Sequence, residues 1–153
     1  MKRIFGFLLA LLATFTFAVP IAHAAEGTLL SKEGVLFEIP AYTAEEVVGF
    51  EYKDLIGNDF CVQYFAANPP RVGMTEPIKI PCPLGIEPIP EYNVKYEEAI
   101  DIFHEINCGD AFESIELSWP ETPPFREPIW KLRSNFGLDV IIGANSGFMS
   151  CEF

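Results

Sequence analysis

Four cysteines, Cys61, Cys82, Cys108 and Cys151, all lie behind a segment that reads as an export leader, and that combination constrains the fold more than any other feature. Lys2 and Arg3 precede the apolar run "IFGFLLALLATFTFAV", Pro20 ends it, and Ala22-His23-Ala24 supplies small residues at the cleavage positions. Cleavage is expected between Ala24 and Ala25, giving a periplasmic or secreted product. The run is short for a span of about 20 residues, no cysteine follows it for lipid attachment, and no later stretch is apolar enough to cross a bilayer. An even number of cysteines in a small exported domain reads as a disulfide framework. Of three possible pairings, Cys61–Cys82 and Cys108–Cys151 are favoured because each pair falls within one compositional block. Loops of this length are worth about 3–4 kcal/mol each by chain entropy. Spacings of 21, 26 and 43 residues without a CxxC pair do not suit zinc.

Removing residues 1–24 leaves 129 residues, enough for one domain or two very small ones. The leader holds two of the ten basic residues and no acid, so 8 basic against 22 acidic residues gives the remainder a net charge of −14. Such a chain repels nucleic acid and anionic membranes, both of which require clustered Lys and Arg. It suits a basic protein partner.

Five prolines crowd into "EPIKIPCPLGIEPIPEY", a density that forbids a helix or a central strand. Residues 77–90 are therefore expected as an extended connector between an N-terminal block, 25–76, and a C-terminal block, 91–153. Whether the first block folds alone or adds strands to the second is left open by the pattern. In the first block, "TLLSKEGVLFEIP" suggests a hairpin turning at Lys32-Glu33-Gly34, with Val35, Phe37 and Ile39 on one face. "TAEEVVGFEYKDLIG" suggests a short helix: Thr43 and Glu46 form a capping-box pattern, and Ala44, Val47, Val48, Glu51 and Leu55 recur at helical spacing. A turn at Gly57-Asn58-Asp59 then leads into the strand "FCVQYFA".

The second block has a stronger pattern. "NVKYEEAIDIFHEINCG" places Tyr96, Ala99, Ile100, Phe103 and Ile106 on one helical stripe, with Asn93 as N-cap and Gly109 past the end. Four alternating segments follow: "FESIELSW", "IWKLRS", "LDVIIG" and "FMSCEF". Trp130, Leu132, Leu138, Val140 and Ile142 are the core candidates beneath the helix. The fold class this implies is α+β, an antiparallel sheet with one amphipathic helix packed on one face, stapled by disulfides.

The helix with its internal "EEA", the strand opening "PIW" (Pro128-Ile129-Trp130) and the ending "VIIGANSGFM" together resemble a PepSY domain over roughly residues 93–152. The matched positions are Ala99, Trp130, Val140, Ile142, Ala144, Ser146 and Gly147. The chain departs from that pattern at Gly143, where the family often has an acid, at Ser146, where it often has Thr, in the proline-rich insertion after Trp119, and in its cysteines. The resemblance implies a secreted or membrane-tethered, non-catalytic module that binds or restrains peptidases near the cell envelope, and it supplies no catalytic residue.

Catalytic patterns are scarce. After the leader the single histidine is His104, at the border of the helix stripe, where it reads as a boundary residue with one nitrogen bonded and one in water. HExxH, GxSxG and phosphate-cradling loops are missing from the sequence. The adjacent pairs Glu45/Glu46 and Glu97/Glu98 diverge by about 100° if helical and read as solvated faces. Asn107, Asp110 and Glu113 lack the ligand alternation of a calcium loop. No cofactor or metal is expected. The loop "PETPPFREP" is the candidate partner-docking element: Pro123, Pro124, Phe125 and Arg126 form a stiff stretch that loses little entropy on binding. The expected function is an exported binding module whose partner is a protein, a peptidase or other hydrolase. A periplasmic immunity-type inhibitor of a toxin enzyme, and then a small hydrolase, are the alternatives.

Overall fold

The computed structural model describes residues 27–123 and 125–152. The leader, its cleavage site and Pro124 lie outside the described residues. Eight strands form one antiparallel sheet: β1 (Gly27–Leu36), β2 (Val47–Ile56), β3 (Phe60–Ala67), β4 (Ile78–Ile80), β5 (Phe112–Ser118), β6 (Ile129–Ser134), β7 (Asp139–Gly143) and β8 (Met149–Glu152). Their order across the sheet is β4-β3-β2-β1-β5-β6-β7-β8. One α-helix, α1 (Tyr96–Glu105), meets β6 and β7. The chain is thus richer in sheet than the α+β expectation implied.

Strands from both sides of the proline-rich connector share this sheet. β1 joins β5 in antiparallel register, Ser31 opposite Ser118, Lys32 opposite Leu117 and Glu33 opposite Glu116. The connector supplies β4, a three-residue strand at the sheet edge between Pro77 and Pro81, where a missing amide donor costs no ladder bond. It then turns back across the core face. The amide of Ile89 donates to the carbonyl of Leu29 at 2.7 Å, and the amides of Asn93 and Val94 donate to that of Ala144.

Two expectations for the first block fail. The segment "TLLSKEGVLFEIP" is not a hairpin, because Lys32, Glu33 and Gly34 lie in the middle of β1, opposite Tyr52, Glu51 and Phe50. Gly34 does not hold the positive φ that a turn glycine would need. It faces the core, and a Cβ there would collide with the Cγ2 methyl of Ile115, so a close approach between strands accounts for the glycine. Nor does the segment 43–57 form a helix beyond one 3-10 turn, Ala44–Glu46. The capping pattern is real. The Glu46 carboxylate accepts the amides of Tyr42 and Thr43 at 2.7 and 2.8 Å, which hold it below the usual carboxylate range. Beyond it the β-branched pair Val47-Val48 and the alternation Phe50-Glu51-Tyr52-Lys53-Asp54 favour a strand.

The second block follows its pattern closely. The turn 135–137 and all four strands are present, and Trp130, Leu132, Val140 and Ile142 are fully buried with Ile115 and Leu117. Leu138 is only partly buried against them. Ala99, Ile100 and Phe103 of α1 close the same cluster. The helix is shorter than its apolar stripe: Lys95, not Asn93, is its N-cap, and Ile106 follows its last turn. Gly109 lies four residues past the end and lets the chain pass Ser134, whose Cβ would sit 2.7 Å from an added Cβ. Both expected disulfides are present, Cys61–Cys82 joining β3 to the connector and Cys108–Cys151 joining the end of α1 to β8.

Candidate functional site

The loop 121–127 is pinned at both ends. The indole Nε1 of Trp119 donates to the carbonyl of Phe125 at 2.9 Å, and Phe125 is half-buried. Pro123 and Arg126 are exposed. The Glu127 carboxylate reaches across to the turn after β7, accepting the amides of Asn145 and Ser146 at 2.6 and 2.9 Å and the Ser146 hydroxyl. Burial pushes this carboxyl up, but those three hydrogen bonds outweigh it and hold the group below its ordinary range. Gly143 makes the room, since a Cβ there would lie 2.7 Å from Glu127 Oε1. Glu127→Ala hands the exposed amides of Asn145 and Ser146 to water and is expected to cost about 0.5–1.5 kcal/mol, read as a lower urea midpoint with an unchanged slope. The loss should shrink as pH falls through the folded pKa, below that of an ordinary glutamate, because the carboxylate is then protonated in the parent as well.

A second cluster lies at the centre of the core face. Lys32 is 7 % exposed, and its Nζ stands 4.4 Å from the ring centre of Phe50, 4.8 Å from that of Trp130 and 5.4 Å from that of Tyr92. Among the described residues no carboxylate lies within ion-pair distance of it. Burial, with a smaller push from Lys95, lowers its pKa to about 8. The ring faces act in the opposite sense, since their quadrupoles attract an ammonium. Tyr92, in the stretch between the connector and α1, covers this cluster, and Lys95 stands 4.3 Å from the same ring. Lys32 lies largely buried beneath that strap and lines none of the three recesses of about 290–540 Å³.

A groove runs along α1. Tyr96, Glu97, Ile100, Asp101 and His104 form one wall, a single face of the helix. The segment 42–47 forms the other, held by the Glu46 cap and by the hydrogen bond of 2.8 Å between His104 Nε2 and the carbonyl of Tyr42. At one end the loop 69–71 is fixed by Asn68, whose side chain donates to the carbonyl of Val47 and whose carbonyl accepts the amide of Arg71. The Arg71 guanidinium donates to the carbonyl of Glu45 at 3.3 Å. The two stretches of this groove measure about 540 and 370 Å³ and share Ala44, Glu45 and Glu97.

Glu45, Glu97 and Asp101 give the groove an acidic rim over a floor that includes Ala44, Val47 and Ile100. Among the described residues none of the three carboxylates is ion-paired; the pairs found, Lys131–Asp139 at 2.8 Å and Arg133–Asp139 at 2.9 Å, lie on β6 and β7. The Tyr96 hydroxyl registers the local field: burial first, then the carboxylates of Glu97 and Glu45, push it up to about 12. Another acidic set lies on the outer face of the sheet, where Glu51, Glu33 and Glu116 are cross-strand neighbours. Glu51 also borders a smaller recess of about 290 Å³ with Gln63, Tyr64 and Thr75, and burial together with Glu33 raises the Glu116 carboxyl.

Sequence reasoning placed Glu45 and Glu97 on unrelated solvated faces, and the fold brings them together across one groove. The signal that could have found them is tertiary and is carried by no local spacing. Lys32 was assigned to a turn, although a lysine within an alternating apolar run also fits a buried strand position. His104 keeps one ring nitrogen bonded while its side chain is exposed, as its place at the stripe border suggested. Among the described residues no three His, Cys, Asp or Glu side chains form a metal-holding set. No described helix is long and apolar enough to cross a membrane, and the two disulfides fit an oxidising compartment. Comparison with protein-family models, with curated proteins and with solved structures found no match.

Proposed function

We propose that this chain is an exported, non-catalytic binding module that holds a segment of a protein partner in the groove along α1. The single observation that carries the reading is the groove itself: a recess with an acidic rim and a partly apolar floor, walled by three separate chain segments. A helix followed by four antiparallel strands is the order expected for the PepSY-like ending, and Glu127 fills the space beside Gly143 where an acid is common in that family. On that resemblance the partner is a peptidase or another hydrolase of the cell envelope.

Affinity purification tests this directly. Tagged mature protein, with both disulfides intact, is immobilised and exposed to an envelope fraction at low salt. Retention of a peptidase or other hydrolase, released by raising the salt, is the expected result. Retaining no hydrolase would overturn the proposal. Capture of a toxin enzyme whose activity falls on binding would instead favour an immunity-type inhibitor.

A further inference from the structure

The dimensions of the groove narrow the partner's chemistry, resting on the binding-module reading above. From Tyr96 to His104 the helix wall spans eight residue steps, about 12 Å. An extended segment covers that length with about four residues. Glu97 and Asp101 are one helical turn apart, about 6 Å along the axis. Side chains on one face of an extended segment repeat every second residue, about 6.7 Å apart. The two spacings match closely enough for alternate cations to meet successive carboxylates. Glu45 lines the opposite wall, and the Tyr96 hydroxyl feels the carboxylates of Glu97 and Glu45. The outer-face glutamates Glu33, Glu51 and Glu116 have a similar charge but sit side by side on adjacent strands, about 4.8 Å apart, a spacing that does not match the repeat of an extended segment.

We infer that the groove takes an extended basic segment of a protein partner, with Lys or Arg at alternate positions paired to Glu97 and Asp101 and bridged across to Glu45. The unpaired carboxylates of the rim supply the attraction, and the floor of Ala44, Val47 and Ile100 receives the segment's small intervening side chains. Arg71, at one end, disfavours extension of the basic pattern in that direction.

The test titrates isotope-labelled mature protein with two peptides of equal charge, Ac-Arg-Ala-Arg-Ala-NH2 and Ac-Arg-Arg-Ala-Ala-NH2, and follows amide shifts. The alternating peptide should bind about fivefold tighter, with shifts confined to residues 42–47 and 96–104. The triple variant E45Q/E97Q/D101N should weaken it by about tenfold, whereas E33Q/E51Q/E116Q, which removes as many charges from the outer face, should change it by less than about twofold. Equal affinity for the two peptides, or equal losses in the two triple variants, would overturn the inference, because net charge alone would then account for binding. A captured hydrolase that binds E45Q/E97Q/D101N undiminished would overturn this inference and leave the binding-module reading standing. Preference for the alternating peptide together with failure to retain any hydrolase would do the reverse.

Discussion

The unfolding free energy of this chain should rise between about pH 8 and pH 10, by up to about 3 kcal/mol, and Lys32→Met should abolish the rise. Lys32 is lowered to about 8 in the folded state, while in the unfolded chain it titrates near 10.4. Below pH 8 the amine is protonated in both states and the folded chain carries the full penalty of a buried ammonium. Between the two pKa values the unfolded chain holds more protons, so stability increases with pH. The figure is an upper one, because Phe50 and Trp130 present their ring faces to Nζ at 4.4 and 4.8 Å and stabilise the charged form. Above pH 10 the trend should reverse. Tyr92 and Tyr96 are raised to about 12, and Tyr64, whose hydroxyl donates to Asp54 at 3.0 Å, is raised as well. All three ionise more readily once unfolded. Methionine keeps the length of the lysine stem without its charge, so Lys32→Met should be about 1–3 kcal/mol more stable at pH 7 and show no rise from pH 8 to 10. Urea midpoints at pH 7.5, 8.5 and 9.5 suffice. A parent protein equally stable at all three would mean that the rings hold Lys32 fully charged despite its burial.

The same lysine shows why half of the fold was legible in the sequence and half was not. From Tyr96 onward each segment buries one clean face, so Ile115, Leu117, Trp130, Leu132, Val140 and Ile142 mark the core by alternation alone. In β1 and β2 the inward positions include Lys32, Gly34, Tyr52 and Asp54 beside the apolar Phe50. Two of these are charged types and one is a glycine, so a rule that equates inward with apolar reads a turn and a helix instead. The register makes sense of them only when the partner strands are known: Lys32 lies between Tyr52 and Leu117, and Gly34 yields its side-chain volume to Ile115. The disulfide pairing was legible because each cysteine pairs with a neighbour in sequence, Cys61 with Cys82 of the adjoining connector and Cys108 with Cys151 of the same block. The groove was not, since its walls come from residues 42–47, 69–71 and 96–104 and meet through tertiary contacts.

Removing Cys108–Cys151 should cost about 4 kcal/mol, and removing Cys61–Cys82 about 3, because the first closes the longer stretch of chain. The separations are 43 and 21 residues. Against a typical total of about 5–15 kcal/mol for a domain of this size, the larger loss leaves a small margin. The two bonds also act on different parts of the molecule. Cys61–Cys82 fastens the connector beside the short edge strand β4, away from the groove. Cys108–Cys151 fastens the chain just past α1 to β8, and α1 is the wall that carries Glu97 and Asp101. C108A/C151A should therefore lose both stability and affinity for the alternating basic peptide, whereas C61A/C82A should lose stability and bind normally while folded. Denaturant titration of both variants, with peptide binding measured well below each midpoint, separates the two effects. A greater loss of binding in C61A/C82A would show that the connector, through the stretch with Tyr92 and Val94 that follows it, orients the helix more strongly than the bond at its end.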